Sequence, residues 1–431
     1  MDKNNEGLSQ IGTLDKKVSK RNKSSAKKYI IAGVIVVICL LGFLTNYLNK
    51  NYIYTNVIAK NISIEGIDVS NLTKEEAITH INNKIYPSNI VLNYDGQSNI
   101  ISPDEIDLKY NTIEVVDEAY SYTKTNSYFK NIKRIFELNK SSKNLKLKSI
   151  YDESKLSDKI QKIYDLIYVK MKNANIHISD SGNISISNSV IGKELDIIAT
   201  KEAIYDIIKN RNYEPINLTV NTKEPNISTG DVKSVDSLLS EFSTKFSTTN
   251  ENRVTNIILS SNATSDVLLM PGEEFSYNNL TGKRTKANGY KDAPVIINGK
   301  LENDVGGGVC QVSSTLFNSV LYSGLDVTSR KNHSLKSSYV SIGRDAMVSD
   351  NGSDFRFKNQ YSHPVYIKNI VSDGVITSKI YGNISDKKNI SIKVEPYTKD
   401  ELSAAKTYIE YRDSNGDIQS TKYISNSVYK N

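Results

Sequence analysis

Two residues in the last third of the chain have the chemistry to transfer an acyl group: a cysteine, Cys310, and a histidine, His333. Cys310 lies in Gly306-Gly307-Gly308-Val309-Cys310-Gln311-Val312-Ser313-Ser314-Thr315-Leu316, a glycine run that opens into an amphipathic pattern. Val312, Leu316, Val320 and Leu321 recur at helical spacing and Gly324 closes the run, so a helix of about three turns is expected to begin at or just after the cysteine. A thiol at a helix N-terminus meets free backbone amides and the positive end of the helix dipole, and both favour the thiolate, the nucleophilic form. The loop of Gly306, Gly307, Gly308 and Gln311 is the candidate oxyanion-binding element, with its amides around Gly308 to Gln311 as donors. Residue type alone also fits a plainer reading, in which the cysteine is a small buried hydrophobe and the glycines only make a turn.

A catalytic thiol needs a base or a cation, and histidine serves best near neutral pH. Only His333 and His363 lie in this part of the chain. A helix from Gln311 to Ser323 climbs about 20 Å at 1.5 Å per residue. The extended run from Leu325 to Lys331 descends about 23 Å, so an antiparallel return brings His333 level with Cys310. His363 precedes Pro364 and is the weaker candidate. Arg344 and Asp345 follow His333 closely enough to share its cleft, as substrate-binding or His-orienting groups. A surface-loop ion pair explains them equally well. Ser313 and Ser314 join them as candidate substrate-binding or orienting residues.

The elements that position these groups belong to an exported chain. Residues 29–48 are almost wholly apolar and long enough to cross a bilayer, and Lys16, Lys17, Lys20, Arg21, Lys23, Lys27 and Lys28 precede them. The expectation is an uncleaved single-pass anchor, with a cytoplasmic basic tail over 1–28 and everything after about residue 49 outside. The tail holds eight Lys or Arg against three Asp or Glu, which is +5 of the formal +7. The basic balance is therefore a tail property, which argues against nucleic acid as a partner. Cys39 lies within the span, so Cys310 has no extracytoplasmic partner for a disulfide within the chain. With four histidines and no Cys/His cluster, neither a metal nor another cofactor is expected.

At 431 residues the chain has length for two or three domains. Residues 53–222 alternate β-branched and helical runs and read as a binding or spacing domain. Thr73 with Glu76 makes a capping-box pattern, which Thr200-Lys201-Glu202 echoes. Residues 112–139 and 151–172 read as helical, and Asn175 to Ile186 as a hairpin around Asp180-Ser181-Gly182. Residues 223–230 carry linker chemistry. From 231 a second domain begins with a helix capped by Asp231, its Val232, Val235, Leu239 and Phe242 on one face. Asn298-Gly299 suits a hairpin turn leading to the glycine run, and beyond 354 the pattern is mostly strand. The fold class is α+β twice over, with the cysteine helix packed on sheet.

The stretch from Thr255 to Ile367 resembles the VanW domain. The resemblance rests on Asn256-Ile257, Met270-Pro271-Gly272-Glu273-Glu274-Phe275-Ser276, Gly289-Tyr290-Lys291-Asp292-Ala293-Pro294-Val295-Ile296, the cysteine motif, Asn332-His333-Ser334-Leu335, Tyr339-Val340-Ser341-Ile342-Gly343-Arg344-Asp345-Ala346 and Asp354-Phe355-Arg356-Phe357-Lys358-Asn359. The preceding half, through Gly66-Ile67-Asp68-Val69, Leu72-Thr73-Lys74-Glu75-Glu76-Ala77 and Gly192-Lys193-Glu194-Leu195-Asp196, is similar to the peptidoglycan-binding domain that precedes VanW domains and YkuD-type L,D-transpeptidases.

Membrane-anchored clostridial VanW proteins are similar in layout, and that likeness implies a peptidoglycan L,D-transpeptidase with Cys310 as nucleophile and His333 as its partner. The implied reaction is 3-3 cross-linking of stem peptides through a thioester, with L,D-carboxypeptidase activity when water replaces the acceptor amine. The YkuD motif carries a histidine two residues before its cysteine. Gly308 stands there in this chain, so YkuD assignments transfer only as far as the cysteine. A Cys/His endopeptidase or amidase and a non-catalytic wall-binding or assembly factor are the alternatives.

Overall fold

A computed structural model of the chain describes residues 11–297 and 300–430. The long helix α1 (Ile11–Leu48) contains the apolar segment, and Ala26–Ile53 is long and apolar enough to cross a membrane. The rest divides into two compact units.

The first unit takes in the chain to Tyr168 together with Glu194–Asn221. Helices α2 (Lys74–Asn82), α3 (Thr112–Ser121), α4 (Tyr128–Lys140), α5 (Glu153–Ile167) and α6 (Ile197–Asn210) pack with short two- and three-stranded sheets. Thr73 and Glu76 form the expected capping box on α2. The echo at Thr200 does not cap: α6 starts at Ile197 under Asp196, and the Thr200 hydroxyl bonds back to the Asp196 carbonyl inside the first turn. The 112–139 run breaks between α3 and α4, where Thr123, Lys124, Thr125, Asn126 and Ser127 offer no apolar face. The 151–172 run stops at Ile167, and Tyr168 is already extended.

The second unit comprises Val169–Lys193 and Thr222–Asn431. It contains the expected hairpin, in which Asn175–Ile178 pairs with Ile184–Ser187. The helix expected from Asp231 is only α7 (Thr229–Lys233), capped by Ser228. Ser237–Lys245, expected to continue it, is a strand instead. Leu239 and Phe242 fit a helical stripe, but the segment pairs antiparallel with Val375–Gly382 over its whole length, and that tertiary pairing overrides the local period. The resulting four-stranded antiparallel sheet runs Ser237–Lys245, Val375–Gly382, Val365–Ser372, Val267–Leu269. A three-stranded sheet joins Glu274–Ser276, Arg356–Lys358 and Asp326–Ser329, and a C-terminal meander joins Ile390–Lys399, Leu402–Arg412 and Ile418–Tyr429.

Helices α8 (Glu251–Ala263), α9 (Tyr277–Thr281) and α10 (Val309–Ser323) complete this unit. Strands Asp292–Ile297 and Lys300–Val305 form the hairpin that leads to the glycine run; its Asn298-Gly299 turn lies outside the described residues. The core is built on α10, where Val312, Leu316, Phe317, Val320 and Leu321 are fully buried against Phe275, Phe355 and Phe357. Helix α10 is less amphipathic than its sequence suggests, because its polar face is buried too. Gln311, Thr315, Asn318 and Ser319 hydrogen-bond to neighbouring strands, loops or their own helix.

Candidate active site

Gly308, at φ +107, is the N-cap of α10, so Cys310 is its second residue. The glycines are required by close approach. A Cβ on Gly307 would stand 2.6–2.7 Å from the Ala293 and Pro294 backbone, and one on Gly308 2.9 Å from Ile257. Fully buried Asn256, from α8, clamps the loop by donating to the carbonyls of Lys291 (2.9 Å) and Gly307 (3.0 Å). Within the expected oxyanion stretch, the Val309 amide donates to the Gly306 carbonyl and the Gln311 amide to the Gly308 carbonyl. The Gln311 amide is therefore not a free donor. The amides of Gly308 and Cys310 have no backbone acceptor among the described residues, and they remain for an oxyanion.

The chain leaves α10 at Gly324, in the left-handed conformation at φ +76, and returns through Asp326–Ser329. That return sets His333 against Cys310. The His333 imidazole interacts with the thiol, and the Cys310 thiol donates to the Val348 carbonyl at 3.5 Å. Buried Asp345 holds His333 twice, accepting from its backbone amide (2.7 Å) and pairing with Nδ1 (2.6 Å). This leaves Nε2 for the thiol. Asp345 is held in turn by Arg330 Nη2 (3.0 Å) and the Tyr429 hydroxyl (2.6 Å). The sequence pointed to Cys310, His333 and Asp345, and the structure brings all three together in one line.

Burial alone raises the thiol of Cys310, but the hydrogen bond and charge of His333 reverse this and hold it below its ordinary value. Burial depresses His333, yet Asp345 and Cys310 outweigh it, and the imidazole is pushed up to about 10. Burial raises Asp345, and its hydrogen bond to His333 and the charge of Arg330 bring it below the usual carboxylate range. These shifts favour a thiolate–imidazolium pair over the neutral pair, with the cation held by a carboxylate. Such a pair can attack a carbonyl without first shedding a proton and then deliver the imidazolium proton to a leaving amine.

Cys310 opens onto a cleft of about 1110 Å³ whose walls include Arg253, Arg284, Gly308, His333, Tyr339 and Asp350. Ser313, Ser314, Arg344 and Gly307, all expected at the site, do not line it. Ser313 and Ser314 are fully buried; they bond to the Cys310 and Ala346 backbone and tie the Asp345 loop to the cysteine helix. Arg344 bonds Asn318 through Nε and lies over the rings of Phe242 and Tyr322, away from the cleft. Gly307 faces the Ala293–Pro294 backbone. His363 pairs with Asp386 at 3.0 Å and has no part in the site. Sequence reading missed Arg253, Arg330, Tyr339 and Tyr429. Tyr339 stood inside a quoted motif without a role, and Tyr429 lies 84 residues beyond Asp345, with no local signal linking them.

Residues 252–381 match the family model described as "VanW like protein", and residues 100–217 match one described as "Putative peptidoglycan binding domain". Uncharacterized protein YoaR of Bacillus subtilis is 48% identical over 130 residues, which is 30% of this chain and 43% of that protein. Vancomycin B-type resistance protein VanW of Enterococcus faecalis is 31% identical over 138 residues, 31% of this chain and 50% of that protein. The chain thus matches half or less of each relative's length. No solved structure matches. Together the two domain types associate the protein with the cell wall. The cysteine loop, His333 and Asp345 all fall within the matched 252–381 stretch, and the chain carries a VanW-like domain preceded by a domain of the peptidoglycan-binding type.

Proposed function

We propose that the protein is a membrane-anchored peptidoglycan L,D-transpeptidase. The observation that carries this reading is the grouping of Cys310, His333 and Asp345 at a cleft, with His333 hydrogen-bonded to Asp345, behind a glycine loop with two amides that lack a backbone acceptor among the described residues. Cys310 thiolate attacks the carbonyl carbon of the third stem residue, and the oxyanion rests against the Gly308 and Cys310 amides. On collapse the carbon–nitrogen bond to the terminal D-Ala breaks. That amine leaves with the proton from His333, and a thioester remains. The side-chain amine of another stem's third residue attacks the thioester, His333 takes its proton, and the thiolate departs from a 3-3 cross-link. Water in place of the amine gives a tripeptide. The exchange needs neither ATP nor a metal, which suits chemistry outside the membrane.

The anchor is read as uncleaved, with a cytoplasmic N-terminus. Lysines flank its start, and Leu48 and Tyr52 at its far end are buried in the core of the first unit. Peptidoglycan stems are the partner, and the domain at 100–217 supplies affinity for the wall.

The test is incubation of the full chain, in detergent, with disaccharide-tetrapeptide muropeptides, followed by mass spectrometry. A cross-linked dimer that disappears in Cys310→Ala and falls sharply in His333→Ala is expected. Cleaved stems without dimer or tripeptide would indicate an endopeptidase or amidase. No product from folded protein would leave a wall-binding factor.

A further inference from the structure

The cleft holds an arginine, Arg253, with no carboxylate partner among the described residues. Arg253 stands in the first turn of α8, its amide capped by Asn250. Its Nη2 donates to Gln311 Oε1 at 2.6 Å, and its Nη1 lies 3.0 Å from where a Gly308 Cβ would be. The guanidinium therefore covers the glycine loop next to Cys310. The Gln311 amide is fixed from behind, since its Nε2 donates to Thr244 and to the Lys245 carbonyl, so its oxygen must face Arg253. Gln311 is a neutral brace that aims the guanidinium without neutralising it.

The neighbouring arginines differ. Arg284 pairs with Asp350 at 2.5 Å and Arg330 with Asp345 at 3.0 Å. Arg253 pairs with no carboxylate among the described residues. Burial lowers its guanidinium from the ordinary value, and the nearby Tyr339 and Cys310 groups offset this only in part. Holding such a group half-buried is unfavourable unless an anion completes it. Besides the Cys310–His333 pair, the cleft wall carries Arg253, Arg284, Lys286 and Lys336 against Asp304 and Asp350.

We propose that Arg253 binds the free C-terminal α-carboxylate of the donor peptide, and so restricts the enzyme to removing a single terminal residue. The identity of that peptide rests on the acyl-transfer reading above. The chemistry of the match is a guanidinium fork with a carboxylate. When the scissile bond precedes the last residue, the carboxylate carbon is three bonds from the attacked carbonyl, within about 4 Å. That spacing suits an arginine beside the nucleophile. One further residue would carry the carboxylate away by about 3.5 Å, and an amidated terminus would offer the fork no charge. Arg253 is then the residue that separates a terminal acyl exchange from internal cleavage of a stem.

The test separates this role from simple support of the Cys310 thiolate. The full chain carrying Cys310→Ala, in detergent, is titrated calorimetrically with one tetrapeptide in two forms, free acid and C-terminal amide. The acid is expected to bind about 10- to 100-fold more tightly, the range for a charge-assisted pair. Arg253→Gln should bring the two forms level, and Arg253→Lys, which keeps the charge but loses the fork, should fall between them. Equal affinity for acid and amide with Arg253 in place, no binding of either form at millimolar peptide, or an acid preference that survives Arg253→Gln overturns the proposal. If Arg253→Gln fails to fold, the Lys variant decides: an undiminished acid preference counts against it. The readout needs no turnover. An acid preference in a protein whose native form makes no thioester would defeat the transpeptidase reading and leave the carboxylate site standing.

Discussion

Burial alone would hold the thiol of Cys310 above its ordinary value; the hydrogen-bonding and charge of the His333 imidazole, itself held by Asp345, outweigh burial and bring it below. The pair titrates together, so its limits are properties of both residues. Alkylation of Cys310 by iodoacetamide is expected to stay fast at pH values below the ordinary thiol range. In His333→Ala the burial of Cys310 is unopposed, so the thiol should titrate above its ordinary value and alkylation at pH 7 should slow by about tenfold or more, in step with the lost thiolate. A profile unchanged by His333→Ala would sink the ion-pair account. Acyl transfer should decline on the alkaline side near pH 10, as His333 loses the proton meant for the leaving amine. Asp345→Asn removes the charge that holds this proton and should move that limb to lower pH. Stability follows the same two groups. His333, raised on folding, stabilises fully below its unfolded value and loses this as pH rises through about 10. Asp345, lowered on folding, stabilises above its unfolded value and loses this as pH falls through its lowered one.

The elements around the site act by close approach, and two substitutions probe them. Gly307 has no positive φ, yet a Cβ there meets the Ala293–Pro294 backbone at 2.6–2.7 Å. Gly307→Ala should destabilise the unit by about 1–3 kcal/mol, by overpacking rather than by backbone strain. Denaturant melts, and a fall in Cys310 alkylation as the loop moves, would report it. Tyr429→Phe keeps the ring but removes the hydroxyl that donates to Asp345 and accepts from the buried Gly343 amide at 2.7 Å. It should cost about 1–3 kcal/mol and lower turnover more than substrate affinity, because the group acts through Asp345. These contacts also mark how far the sequence could be read. Helix α10, its glycine cap and the return to His333 were legible because rise per residue and helix period are local rules. Asp345 was legible only as a neighbour of His333. Tyr429 and Arg253 were not, since one arrives on the last strand and the other on a helix more than fifty residues upstream of the cysteine, and nothing in either local pattern signals where it is aimed. Ser237–Lys245 misleads for a related reason: its helical stripe is real, but its partner strand lies over a hundred residues away.

At the scale of the whole chain, the chemistry proposed for Cys310 works only if the second unit is held outside the membrane and kept near it. The apolar segment is preceded by a lysine-rich run, and α1 passes at Leu48 into a turn of π-helix, Asn49–Ile53, whose Tyr52 is buried with Leu48 among Ile58, Val69 and Val116. An anchor whose end is part of a domain core is a poor substrate for a peptidase that needs an extended segment at the membrane surface, and Leu48-Asn49-Lys50-Asn51-Tyr52 also lacks small residues at a cleavage point. The chain recovered from the membrane fraction should therefore keep the segment before residue 49 and resist extraction with alkaline carbonate. Protease added to intact cells stripped of wall should remove the two compact units and spare an N-terminal tag. A shortened chain released into the medium would mean that the segment is a cleaved leader, and a C-terminal unit protected from external protease would place Cys310 on the wrong side of the membrane for any peptidoglycan substrate. Each outcome bears on the anchor by itself, because neither measurement depends on turnover at Cys310.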